Sequence, residues 1–97
     1  MYAIILRYKA PVVVVDAHAE AHVAWLNENY AAGHFLLSGQ QRPRVGGFIL
    51  ADAIERAALD AVLNADPYVR MNVAEYEVLE FGVRFAGPKL ESLIESL

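Results

Sequence analysis

Apolar residues along this chain alternate between a spacing of two and a spacing near 3.6, and the switches between those periods divide it into elements. In residues 2–8, Tyr2, Ile4, Leu6 and Tyr8 fall on one face and Ala3, Ile5 and Arg7 on the other. That is a strand apolar on nearly both sides, as expected for a central position. Pro11 ends it, and Val12-Val13-Val14-Val15 reads either as a strand extension or as a loop packed on the core. Asp16 is suited to cap a helix over 17–32 that stops at Gly33, a natural C′ residue. One row of that helix holds Ala17, Ala21, Ala24, Glu28 and Ala31, and its neighbour holds His18, His22, Trp25, Leu26 and Asn29. Residues 34–39 read as a second strand and 46–51 as a third, with Gly46-Gly47 marking a bulge or a close backbone approach. Asp52 is suited to cap a helix over 53–64 whose period is carried by Ile54, Ala57, Ala58, Ala61 and Val62. Asp66-Pro67 then reads as N-cap and N1 of a one-turn helix through Arg70, and Asn72 as a positive-φ exit from it. Residues 73–81 form a fourth strand, and Gly87-Pro88 starts a terminal helix with Leu90, Leu93, Ile94 and Leu97 in one stripe.

The order β-α-β-β-α-β plus a tail helix is the split βαβ arrangement, so the fold class is α+β, ferredoxin-like, with an antiparallel sheet. At 97 residues the chain makes one domain, 1–97. Two helices cover one face of such a sheet. The strands here are apolar on both sides, and the 57% hydrophobic content is high for a domain of this size. A homodimer packing sheet against sheet, a dimeric α+β barrel, is therefore expected, with residues 88–97 at the dimer interface.

Charge and composition narrow the partners. A formal net charge of −4 without a Lys/Arg cluster argues against nucleic acid and anionic membrane, and Arg42-Pro43-Arg44 reads as a solvated loop. No cysteine is present, which excludes disulfides and thiolate chemistry. The apolar N-terminus has no preceding basic region, and Arg7 and Lys9 interrupt it, so the expectation is a cytoplasmic protein without a leader.

Two residues carry most of the candidate chemistry. His22 borders the buried stripe of the long helix and suits a general acid or base if a neighbour fixes its tautomer. Asp66, though explained by capping alone, keeps a free oxygen that can orient such an imidazole. Tyr68 is placed to wall the same pocket, and Ser38-Gly39 closes the second strand where it can meet a substrate. Arg7 reads either as a substrate-binding cation in the interface or as the partner of Glu75 or Glu77 on an adjacent strand. His18 and His22 have a workable two-ligand spacing and His34 is a third histidine, but the zinc-protease order is absent and neither a metal nor a cofactor is expected.

With those residues assembled, the chain resembles the YciI-like (YCII-related) family over about residues 2–83. The resemblance rests on His22 followed by Trp25-Leu26, Gly33 with the strand from Phe35 to Gly39, Gly47-Phe48-Ile49, and Asp66-Pro67-Tyr68-Val69 leading into the last strand. Gln40 stands where relatives commonly have proline, and Asn72 where they usually have glycine. The resemblance implies a dimeric α+β barrel with His22 and Asp66 as an active-site pair and Ser38-Gly39 nearby. It also implies acid–base chemistry on a small cyclic or aromatic compound, since a few relatives dehydrochlorinate a chlorinated hydroxyquinol. The competing expectation is a non-catalytic dimeric module for ligand binding or interaction, with Asp66 merely a cap.

Overall fold

A computed structural model describes residues 1–95. Four strands form one antiparallel sheet: β1 (Tyr2–Tyr8), β2 (Phe35–Gln40), β3 (Gly46–Ala51) and β4 (Ala74–Glu80), in the order β2-β3-β1-β4. The apolar β1 lies in the centre, as its two-sided pattern requires, pairing with β3 through Ile4↔Ile49 and with β4 through Ile4↔Val78. Helices α1 (Val12–Asp16), α2 (Ala19–Ala31), α3 (Arg56–Asn64) and α4 (Pro67–Arg70) complete the α+β, ferredoxin-like arrangement.

The register assigns each strand residue to a face. Tyr2, Ile4, Leu6 and Tyr8 share a face with Ile49, Ala51 and Phe35, and the core forms where this face meets Trp25 of α2 and Leu59 and Leu63 of α3. Two side-chain bonds add to it: Trp25 Nε1–H donates to the Val62 carbonyl of α3 at 3.0 Å, and the Tyr2 hydroxyl to the carbonyl of Ile54, just before α3, at 2.7 Å. A second cluster, Leu6, Val15, Tyr68, Val73 and Ala74, packs α1 and α4 against the other end of β1.

Local signals explain the element ends unevenly. The C-terminus of α2 is a Schellman motif: Gly33, at φ +79°, donates to Tyr30 O and His34 N–H donates to Asn29 O. Asn72 takes φ 57° on leaving α4, as expected. The start of α2 differs from expectation. Asp16 is the last residue of α1, and α2 begins at Ala19 with His18 as an N-cap that makes no side-chain bond. The valine run coils into α1 because Val15 is drawn fully into the second cluster, and this tertiary contact outweighs the β-branched preference for a strand. The second long helix also starts late, at Arg56. Asp52 bonds only the adjacent Ala53 N–H, and the buried stripe is Leu59 and Leu63 while Ala57, Ala58 and Ala61 stay exposed. The tail forms a 3-10 helix over Pro88–Leu93 rather than an α-helix, and Leu97 of its expected stripe lies outside the described residues. Among the described residues no helix is long and apolar enough to cross a membrane.

Candidate functional site

The site is built on the start of α4. Pro67 at N1 has no amide hydrogen to leave unpaired, and Asp66 Oδ1 accepts from Tyr68 N–H at 2.9 Å, so four residues suffice for a helical turn. Asp66 is wholly buried, at 0% exposure, where a carboxylate without donors would be very costly. Two further donors reach it. His22 Nδ1 lies 2.8 Å from Oδ1, and the Tyr76 hydroxyl donates to Oδ2. One carboxylate thus joins α4, α2 and β4.

This arrangement sets the chemistry of the imidazole. A carboxylate only accepts, so Nδ1 carries hydrogen and, in the neutral ring, Nε2 holds the lone pair, with no partner among the described residues. The Tyr68 ring stacks on the imidazole at 3.9 Å and 8°, and the Trp25 ring flanks it at 5.5 Å, so the ring cannot swing freely. Burial, then the adjacent Asp66 charge, pushes the Tyr76 hydroxyl well above the usual tyrosine range and keeps it a donor. Burial raises the Tyr68 hydroxyl as well.

His22 borders a cavity of about 230 Å³ between α2 and the helix-covered face of the sheet. Val23 and Leu26 of α2 and Leu6 and Ile49 of the sheet supply its apolar wall. Ser38, Gly39 and Tyr68 border the same space. The Ser38 hydroxyl is hydrogen-bonded to that of Tyr30, since the register puts Ser38 opposite Ile49 on the helix side of β2. The expected residues His22, Asp66, Tyr68, Ser38 and Gly39 are therefore brought together, Asp66 from just behind the imidazole. Arg7 is not. It sits on the opposite face of β1, away from the cavity lining, and pairs with Glu77 at 2.6 Å, the second of the two fates its sequence neighbours allowed. Among the described residues no three histidine or carboxylate groups meet in a way that would hold a metal ion; His34 bonds Asn29 instead.

Two residues of the site, Tyr76 and Arg44, escape sequence reasoning. Tyr76 reads as one core aromatic among several, and only the pairing Leu6↔Tyr76 brings its hydroxyl under Asp66. Gln40 borders the cavity, as does Arg44, which reads as solvated. Arg44 crosses instead to Asp16, with Nη1 and Nη2 donating to its two oxygens at 3.1 and 2.5 Å, and rests over the Tyr8 ring at 5.6 Å. That pair holds the Asp16 carboxyl below its ordinary range. The bidentate fork needs two partners 28 positions apart in sequence, a relation no local pattern encodes.

A ferredoxin-like α+β chain with a histidine–carboxylate contact at the edge of a small, largely apolar cavity is a class of fold and site before it is a family. The YCII-related domain model matches residues 1–82, and the chain belongs to that family. A solved structure of 5-chloro-2-hydroxyhydroquinone dehydrochlorinase from Burkholderia phenoliruptrix, in complex with 2,5-dihydroxybenzoquinone, is similar in fold. Its TM-score is 0.70 at 18% identity, over 86% of this chain and 95% of that one. No curated protein matches the chain.

Proposed function

We propose that the protein is a homodimeric small-molecule enzyme in which His22 acts as general base and acid, oriented by Asp66, in an elimination or isomerisation of a small cyclic or aromatic compound. The observation that carries this reading is the contact of His22 Nδ1 with the buried Asp66 carboxylate at the edge of the cavity, which in the neutral ring makes Nε2 the basic atom. In an elimination, Nε2 takes a proton from the substrate, the electrons of that bond form the new double bond, and the leaving group departs with its bonding pair. The imidazolium so formed sits against Asp66, which stabilises it without accepting the proton. Such a group contributes about 10²–10⁴-fold, enough for removing an activated proton and too little for hydrolysing an inert bond. The cavity is smaller than the roughly 300–1,000 Å³ of drug-sized sites, which supports a single substituted ring. The dehydrochlorinase of similar fold, solved with a quinone, supports the same substrate class.

The test uses a panel of hydroxylated, halogen-bearing rings, with halide release as the readout. Replacing His22→Gln is expected to lower turnover by about 10²–10⁴-fold with the fold retained. An unchanged rate in that variant sinks the assignment. A second arm needs no substrate: long-range ¹H–¹⁵N spectra of neutral His22 should show hydrogen on Nδ1, and hydrogen on Nε2 would remove the base.

One observation favours a second reading, a module that binds its ligand without reacting it. One donor to Asp66 caps α4 and the other two tie it to α2 and β4, so structure alone accounts for the carboxylate. Binding by members of the panel with no turnover of any would decide for that reading.

A further inference from the structure

Asp66 uses its two oxygens differently. Oδ1 accepts the Tyr68 N–H at 2.9 Å and meets His22 Nδ1 at 2.8 Å, whereas Oδ2 accepts from one side chain among the described residues, the Tyr76 hydroxyl. The direction of that last bond is fixed. A carboxylate only accepts, and burial, then the Asp66 charge, keeps the hydrogen on Tyr76. The tyrosine is also held from outside the site. The sheet pairs it with Leu6, and its ring packs against both core clusters, 6.4 Å from the Trp25 ring. Its position therefore does not depend on Asp66, and the carboxylate has to fit it. The charged groups nearby are engaged elsewhere. On the outer side of Tyr76, Lys9 bonds Asn72 at 2.6 Å and Arg56 bonds Asp60 at 2.9 Å, and on the cavity side Arg44 is paired with Asp16. Glu75, next to Tyr76 in β4, falls on the opposite face of the strand.

We propose that Tyr76 is a positioning residue for His22, acting through Asp66. Holding Oδ2 fixes the plane of the carboxylate, and with it the angle at which Oδ1 meets the imidazole. The same bond draws charge toward Oδ2. Tyr76 therefore also sets how firmly Oδ1 grips the Nδ1 hydrogen, since donors that share one carboxylate compete for its charge. This rests on His22 being the acid–base group and adds the residue that adjusts it. When Nε2 takes a proton, positive charge develops on a ring whose counter-charge is already oriented, so no reorganisation is needed at the moment of transfer.

Three side chains at position 76 grade the donor. Phenylalanine has none, tyrosine has the native one, and 3-fluorotyrosine has a stronger one because its phenol is more acidic. Long-range ¹H–¹⁵N spectra of the full chain, with His22 neutral, read the Nδ1 resonance, which moves downfield as its hydrogen is gripped harder. Relative to the wild type, Tyr76→Phe should move it downfield and 3-fluorotyrosine upfield, with Nε2 free of hydrogen in all three. A role confined to packing would not order the series by donor strength. An unmoved resonance, displacement of both variants in one direction, or transfer of the hydrogen to Nε2 would each overturn the proposal. Should Tyr76→Phe fail to fold, 3-fluorotyrosine keeps the ring and the bond, and its shift alone decides. On the panel of rings, kcat in Tyr76→Phe should fall by about tenfold or more, the scale of one hydrogen bond to a charged group. KM should stay unchanged, because Tyr76 does not border the cavity. A raised KM at unchanged kcat would also overturn the proposal. The spectra need no turnover, so the link from Tyr76 to His22 can fail while the loss in His22→Gln stands, and the reverse.

Discussion

Asp66 accepts three hydrogen bonds in a space closed to water, and the donor with the most at stake is Tyr76. An ordinary tyrosine ionises near 10, and in the folded protein burial and the Asp66 charge hold Tyr76 above that. Between those two values the unfolded chain releases a proton that the folded chain keeps. Stability is therefore full below pH 10 and declines as pH rises toward the folded value, at about 1.4 kcal/mol per pH unit for one such group. Urea unfolding measured through this range should show a shallower decline in Tyr76→Phe. Equal slopes would mean that Tyr76 does not hold its proton against Asp66. At this scale the sequence is legible where partners are close along the chain. Asp66, Pro67 and Asn72 follow from cap and turn chemistry within a few residues. Tyr76 and Arg44 do not, because their partners are fixed by strand register and by the path of a loop.

Elements show the same division between local signal and imposed contact. Gly33 ends α2 where its permissive backbone predicts, whereas Asp16 misses its expected cap because the valines before it coil to bury Val15. Of the pair Gly46-Gly47, the sequence announces only that backbone comes close to something. The something is β1: a Cβ on Gly46 would lie 1.8 Å from the Leu6 carbonyl oxygen, which is main chain and cannot rotate aside. Gly46→Ala is expected to force β3 from β1 and to cost about 1–3 kcal/mol or more, read as a lower urea midpoint at unchanged slope. A variant as stable as the wild type would show that the two strands separate there at no cost. Helix α3 was legible in existence and not in facing, since alanines carry the helical period well but leave little apolar area to bury.

At the scale of the molecule, the face of the sheet away from the helices carries exposed apolar residues. Leu37, Phe48 and Leu79 project from it at 44%, 36% and 63% exposure, alongside Ile5 of the central strand. Monomeric proteins seldom leave such residues contiguous, and a second sheet laid on them would bury them. Sedimentation at micromolar concentration should give a dimer, and Leu79→Glu should shift it toward monomer. A wild-type monomer under those conditions would contradict the paired arrangement. The fold class itself was readable because alternation and helical period, summed over six elements, leave few topologies. What the pattern could not convey was the cavity, which exists only in the gap between α2 and three strands.

The triple use of Asp66 bears on how a protein of this fold changes over evolutionary time. His22 can drift to another residue at modest cost to folding, since its ring lies at the edge of the network and one acceptor position is all it vacates. Asp66 has no such freedom. A replacement without a side-chain acceptor at once uncaps α4, strands the Tyr76 hydroxyl and releases the imidazole. Lineages that abandon the chemistry should therefore lose the histidine first and retain the aspartate. A carboxylate in this position is a record of architecture, which the residue facing it is not obliged to share.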